Sequence, residues 1–321
     1  MTLFAATLHA LLPLFLLILL GYGLKKARVL HAAHVPILNA LVINITLPAL
    51  IFKGLAGAPH LAARAMLLPF AALLGEAFTL GIALAVGYAL RLARPTRGAL
   101  LVTGTFGNTS FLGYPMTLAL VPHQFPLTIL IDQFGMTIAM YACAALIGSA
   151  FGPEGEGAGG PGKAMGRFFR SPIFLSVVAG CVALLVPWPP LLTQAPGMRA
   201  LGAVLAECLS YLGQGTTPIV LLALGVSLRP GTARAYGGPI LAACGLKLLV
   251  CPLAMWLVCR ALGLHGEMLT VGVLEMAMPT AVMASVLSAE HKLAGDYAVG
   301  VVFTGTALAA VTVPLLLSVL H

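Results

Sequence analysis

Charge is scarce in this chain. Of 321 residues, 8% are Asp, Glu, Lys or Arg, against about 25% in a soluble globular domain. So few charges cannot cover a water-facing surface. A cytosolic enzyme, a disordered protein and a secreted disulfide scaffold are thereby excluded. Cysteine is sparse too. Cys143, Cys181, Cys208, Cys244, Cys251 and Cys259 lie in apolar runs and form no C-x-x-C pair. Free cysteine behaves as a small hydrophobe, so no disulfide, zinc or haem site is read. Basic runs are missing as well, none being longer than Lys25-Lys26. The net charge of +8 therefore points to cytoplasmic loops and not to nucleic acid. No positive segment precedes the first apolar run, which argues against a cleaved signal peptide. Residues 3–24 are expected to be a retained span.

What the chain has is hydrophobicity, at 60% of residues and a mean hydropathy of +1.05. One helical crossing of a bilayer takes roughly 20 residues, so ten crossings take roughly 200 to 250. Ten short-looped helices fit, and a soluble domain does not. The apolar runs are continuous, without the alternation of a membrane β-barrel. Breakers divide them into spans near 3–24, 35–56, 65–91, 98–120, 124–149, 172–187, 200–228, 237–262, 266–289 and 293–320. One stretch has linker composition, Gly152-Pro153-Glu154-Gly155-Glu156-Gly157 through Gly162-Lys163. The expected organisation is a first five-helix repeat over 1–150, a cytoplasmic Gly/Pro-rich linker over 151–171, and a second, inverted repeat over 172–321.

Orientation follows from the basic residues, which favour cytoplasmic loops. Of the 17, loops after odd spans hold 12 and loops after even spans hold Lys53, Arg64, Arg199 and Arg260. Lys247 alone lies deep in a span. The bias puts the linker in the cytoplasm and both termini outside it.

The halves read as diverged copies. Pro13-x-Phe15 with Gly21 matches Pro172-x-Phe174 with Gly180. Pro48 recurs as Pro218, Arg91 as Arg260, and Pro115 as Pro279, in the same order. Because five is odd, the second copy enters the membrane from the opposite side. Inverted-topology repeats are a frequent build of secondary transporters.

The fourth span carries Gly107-Asn108-Thr109-Ser110 and Gly113-Tyr114-Pro115. The ninth carries Glu275-Met276-Ala277-Met278-Pro279. Proline removes an N–H and clashes with the preceding turn, so a helix break is expected near Pro115 and near Pro279. Half-helix ends expose carbonyls on one side and N–H groups on the other. In lipid such ends need a polar cavity. The positive ends suit an anion and the carbonyls a cation. Asn108, Thr109, Ser110, Gly113, Pro115, Met278 and Pro279 are the candidate substrate-binding residues.

Acids in apolar segments are costly and usually functional. Asp132, beside Gln133, and Glu275 are candidates for coupling or for holding the crossover, and Glu76 for a structural partner. Glu207 reads as interfacial. Lys247 is expected to pair with a core acid, in the place of a metal cation. Asn44 and Thr46 are expected to bond backbone freed by Pro48, with Pro218 as the counterpart of Pro48. Met276, Met278 and Met283 read as core filler. The histidines mostly flank spans and form no ligand pattern, so neither a metal nor a cofactor is expected.

At these residues the chain resembles the auxin efflux carrier family, which includes bacterial malonate-transporter-like proteins. The resemblance rests on Leu20-Gly21-Tyr22, Leu47-Pro48-Ala49-Leu50-Ile51-Phe52, Gly107-Asn108-Thr109 with Phe111-Leu112-Gly113 and Pro115, and Leu274-Glu275-Met276-Ala277-Met278-Pro279. Asp132 also fits, although a Leu-Gly-Asn that usually follows reads Gln133-Phe134-Gly135 here. The resemblance implies an all-α integral membrane protein of ten transmembrane helices in two inverted repeats of five. Broken helices cross at its centre, as in bile acid symporters and NhaA-like antiporters. It also implies a scaffold from spans 1, 2, 6 and 7, a transport unit from spans 3–5 and 8–10, and a homodimer. By likeness to the bile acid symporters, Glu275, Asn108 and Thr109 would line a cation site.

The expected function is secondary transport of a small organic anion, such as a mono- or dicarboxylate, across a bacterial inner membrane. The coupling ion would be H⁺. The alternatives are a Na⁺-coupled symporter of a bulkier amphipathic acid and a membrane sensor that binds without transport. An intramembrane enzyme would need a nucleophile–base or metal spacing, and none appears.

Overall fold

A computed structural model of the chain describes residues 3–58, 63–153, 161–185, 196–228 and 236–320. Residues 154–160 of the linker, and Arg229 and Arg234 among the loop positives, lie outside the described residues. So do both terminal residues, on which the orientation bears.

Long apolar runs without internal glycine–proline pairs become helices, because lipid offers no partner for a backbone N–H or C=O. Among the described residues every regular element is helical. Seven continuous stretches are long and apolar enough to cross a membrane: Thr7–Lys26, Ala32–Ala56, Arg64–Ala89, Pro122–Phe151, Gly197–Ser227, Gly237–Ala261 and Gly295–Val319. Pro172–Leu185 is a shorter apolar helix. The stretches expected as the fourth and ninth spans are helical but interrupted.

Three prolines are accommodated by widened turns, while Pro13 and Pro314 stand inside regular α-helix. π-Turns cover Val42–Thr46, Thr109–Gly113 and Leu246–Val250. Each closes with an N–H bonded five residues back: Leu47 to Val42, Tyr114 to Thr109 and Cys251 to Leu246. The very next residue is Pro48, Pro115 or Pro252. A wide turn carries the carbonyl of residue i−4 away from the ring and removes the clash. Asn44 Nδ2 donates to the Ala40 carbonyl at 2.8 Å within the first of these turns. Thr46, expected to do the same, has a buried hydroxyl without a hydrogen-bond partner among the described residues.

The chain divides into two compact units. The smaller takes residues 17–61 and 169–227. It holds the later part of α1 (Leu3–Lys26), α2 (Val35–Leu41) and α3 (Leu47–Ala56). Glycines set its close approaches. A methyl on Gly21 would lie 2.9 Å from Leu222 Cα, and one on Gly180 would lie 2.7 Å from Leu55 Cβ. Glu207 lies on an exposed face and accepts the Tyr211 hydroxyl at 2.7 Å.

The larger unit takes residues 62–168 and 228–321, with the start of α1 up to Leu16. Its first half contains α4 (Leu67–Ala89), α5 (Arg94–Thr105), α6 (Tyr114–Leu120), α7 (Phe125–Leu130) and α8 (Ile138–Phe151). The linker contributes α9 (Pro161–Phe169), and the smaller unit adds α10 (Pro172–Leu185), α11 (Pro196–Gln214) and α12 (Thr216–Ser227). Pro218 stands in the first turn of α12. The larger unit then resumes with α13 (Gly237–Gly245), α14 (Cys251–Ala261), α15 (Glu267–Ala277), α16 (Val282–Glu290) and α17 (Gly295–Leu320). Helix α4 packs on α5 and α14, and α14 on α15. The candidate site lies inside this unit.

Candidate functional site

Helix α5 stops at Thr105 and Phe106 turns extended (φ −91°, ψ 127°). Helix α15 stops at Ala277, and Met278 and Ala281 are extended (ψ 142° and 136°) before α16 begins. The two extended pieces cross antiparallel at Gly107 and Thr280. Asn108 N–H donates to the Pro279 carbonyl at 2.7 Å, and Ala281 N–H to the Phe106 carbonyl at 3.0 Å. The Thr280 hydroxyl donates to the Thr103 carbonyl at 2.7 Å. Backbone groups that lipid would leave orphaned are therefore satisfied by each other.

The break in the expected fourth span lies at Phe106–Asn108 and not at Pro115. Pro115 sits two residues beyond the π-turn, inside a helix running from Thr109 to Leu120. The expected position is thus corrected: a widened turn absorbs this proline, while no equivalent turn precedes Pro279. Four helix ends meet at the crossing, two negative and two positive in the sense of the peptide dipoles.

Asp132 occupies one positive end. It lies in a π-turn over Ile131–Thr137 and is 1% exposed. Its Oδ2 accepts Ser110 Oγ at 2.5 Å, the Tyr114 hydroxyl at 2.7 Å and Gln133 Nε2 at 2.8 Å. Its Oδ1 accepts the Thr109 hydroxyl and, at 3.2 Å, the Thr137 hydroxyl. Five donors on one carboxyl group are the coordination of an ionised acceptor. Thr109 and Ser110, expected to bind substrate, give their hydroxyls to this carboxyl group. The Gln133 side-chain oxygen is buried without a partner among the described residues.

Lys247 occupies one negative end. It is fully buried in the π-turn before Pro252, and its Nζ donates to the Met276 carbonyl at 2.6 Å. That carbonyl belongs to the last turn of α15, where a cation is favoured by the dipole. No carboxylate oxygen among the described residues lies within 4 Å of Nζ. The expected pairing with a core acid is therefore corrected to pairing with a helix end. Glu76 and Glu275 are the acids whose charge Lys247 feels at longer range.

Glu275 and Glu76 differ from Asp132. Glu275 is fully buried; Oε1 accepts the Thr117 hydroxyl at 3.0 Å and Oε2 has no partner among the described residues. Thr128 donates in turn to Thr117 at 3.0 Å. Glu76, 3% exposed on α4, has no partner for either oxygen among the described residues. Gly113 stands against the Glu275 carboxyl group, and Gly107 against the Lys247 head. Met278 is buried at the crossing, and the Pro279 carbonyl is taken by Asn108.

Sequence reasoning passed over several residues that build this site. Met136 accepts the Gly107 N–H through its sulfur at 3.3 Å. Tyr114 reaches Asp132 while its ring meets Phe125 edge-on at 5.2 Å. Thr103, Thr117 and Thr128 complete the polar contacts. One signal was readable: Thr117 follows Gly113 by four residues, so both face one side of a helix.

The family described as membrane transport protein matches residues 6–150 and 162–317. An uncharacterised transporter of Methanothermobacter thermautotrophicus is 27% identical over 313 residues, covering 97% of this chain and 98% of that protein. An uncharacterised transporter of Methanocaldococcus jannaschii is 24% identical over 293 residues, covering 89% and 90%.

Proposed function

The chain belongs to the membrane transport protein family, which includes the auxin efflux carriers, and from that premise we propose that it is a secondary active transporter of a small organic anion. It is a multi-pass membrane protein. In this reading ten spans form two inverted repeats and work by alternating access. The interrupted stretches at the crossing are the fourth and ninth spans. A repeat relation is supported by the paired glycines: Gly21 of the first span packs on the seventh, and Gly180 of the sixth packs on the second. The reading carries a bacterial inner-membrane location, both termini outside the cytoplasm, and a homodimer.

The observation that carries the proposal is the antiparallel crossing with its ends unequally filled. Asp132 fills one positive end and Lys247 one negative end. The first turn of α16 gives no hydrogen bond to an acid among the described residues, and Val282 and Met283 are half-buried. This is the positive end left for a substrate carboxylate, with Asn108 and Pro279 fixing the crossing.

Coupling is assigned to H⁺. Lys247 already supplies a cation at the carbonyl end that a Na⁺ ion would seek. Buried carboxyl groups with no donor or a single donor are costly as anions. Glu76 and Glu275 are therefore the acids suited to carry a proton, and Asp132 is the fixed charge. A proteoliposome uptake screen of mono- and dicarboxylates tests the proposal. Saturable uptake of at least one carboxylate is expected. Uptake confined to neutral or cationic solutes would overturn it.

A further inference from the structure

Two glycines of the first repeat each stand where an ionisable side chain of the second repeat comes to rest. A methyl group on Gly107 would lie 2.7 Å from Lys247 Cε and 3.0 Å from its Nζ. A methyl group on Gly113 would lie 2.7 Å from the Glu275 carboxyl carbon and 2.7 Å from Oε1. Real Cβ atoms do not approach other atoms so closely, so one partner would have to move. Neither glycine has a positive φ, so backbone conformation does not require them. Gly113, at the end of the π-turn, is at φ −64° and ψ −45°, ordinary helical values. Alanine is the better helix former there. What glycine supplies at these positions is room.

We propose that Gly107 and Gly113 are positioning residues, which set how deep the Lys247 ammonium and the Glu275 carboxyl group sit in the crossing. The Lys247 head reaches the Met276 carbonyl only through the space that Gly107 leaves. The Glu275 carboxyl group reaches Thr117 only beside the bare Cα of Gly113. Displacement of either group by an ångström breaks its single hydrogen bond and leaves a buried polar group orphaned. The proposal rests on the transport reading for its pH arm alone, and its stability arm is independent of it.

The test is a pair of double-mutant cycles on the full-length protein. In the first, Gly113→Ala is made in the wild type and in Glu275→Ala, and melting is followed in detergent. Overpacking a buried site is destabilising, so Gly113→Ala is expected to lower Tm by about 2–6 °C in the wild type. In Glu275→Ala, where the new methyl enters vacated space, no further loss is expected. An equal loss in both backgrounds would overturn the proposal. If Gly113→Ala does not fold, recovery of folding by Glu275→Ala supports the proposal, and no recovery overturns it. In the second cycle the shorter Glu275→Asp is combined with Gly113→Ala. Carboxylate uptake and its pH profile should recover toward wild type by about tenfold over the product of the single effects. A double variant no better than that product, or one that regains stability but keeps a shifted pH profile, contradicts the positioning role. Absence of carboxylate uptake by the wild type would instead sink the transport reading and leave the stability cycle to decide the positioning role.

Discussion

The ammonium of Lys247 rests 2.6 Å from the backbone carbonyl of Met276, at the carbonyl end of α15. A cation held by a helix end needs no carboxylate partner, because the aligned peptide dipoles supply about half a negative charge there. Lys247→Met keeps the bulk and removes the charge. Uptake is expected to fall by tenfold or more, on the order expected for a buried functional charge. Lys247→Arg is expected to fall equally, since the planar guanidinium does not fit against Gly107. Initial-rate uptake with equal amounts of reconstituted protein checks both, and wild-type rates in Lys247→Met would show that the lysine is merely packed.

Asp132 gathers five donors from Thr109, Ser110, Tyr114, Gln133 and Thr137. An amide presents one acceptor oxygen and two donors, so Asp132→Asn sets N–H groups against hydroxyls. Hydrogen bonds to a charged group contribute about 1.5–3 kcal/mol, and a loss of about 2 kcal/mol or more is expected. Thermal melting should show Asp132→Asn clearly below Ser110→Ala, which removes a single donor. Equal melting of the two would mean that the charge is not what organises the cluster.

Much of this was legible in the sequence, and the limits have physical causes. Scarce charge and continuous apolar runs announced membrane helices, and Glu275, Asp132 and Lys247 stood out because charge is expensive in lipid. The place of the break was misread because proline was weighed by its ordinary clash. The π-turn at Thr109–Gly113, which absorbs Pro115, leaves no mark in composition. The extended peptide Phe106–Asn108 has no breaker other than Gly107, and it is held open by pairing with residues more than 170 positions away. Long-range pairing of that kind is what a single sequence does not display. The same holds for Lys247: its burial was readable, but its partner is a carbonyl, and carbonyls are invisible in a list of side chains.

Pro115→Ala is accordingly expected to be mild. The crossing is made by Gly107, Asn108, Pro279, Thr280 and Ala281, and the π-turn does not depend on the ring. Uptake within about a factor of two of wild type is expected, π-turns needing no proline. Thr280→Val, which removes the hydroxyl bonded to the Thr103 carbonyl, should cost more, about 1 kcal/mol of stability. A Pro115→Ala protein that inserts but does not transport would return the break to Pro115.

His291 gives an acid-sensitive element away from the crossing. It lies between α16 and α17, buried against Gly148, where a methyl would stand 2.7 Å from its Cβ. Burial holds the imidazole below its ordinary value of 6.5, Glu290 opposing and Arg167 assisting. The neutral form is thus favoured in the folded chain. Its stabilisation is fully present above pH 6.5 and is lost as pH falls below that toward the folded value. His291→Gln should melt at more nearly equal temperatures at pH 7.5 and 5.5 than the wild type does. An unchanged difference would place the acid sensitivity elsewhere.

The most direct test of the account is carboxylate accumulation by the wild-type protein in proteoliposomes, with the Na⁺ and pH gradients imposed separately. Accumulation driven by a pH gradient, and unchanged when Na⁺ is replaced by choline on both sides, is the predicted result. Accumulation that requires a Na⁺ gradient and ignores the pH gradient would contradict it, because the site assigned to Lys247 would then be serving a metal cation.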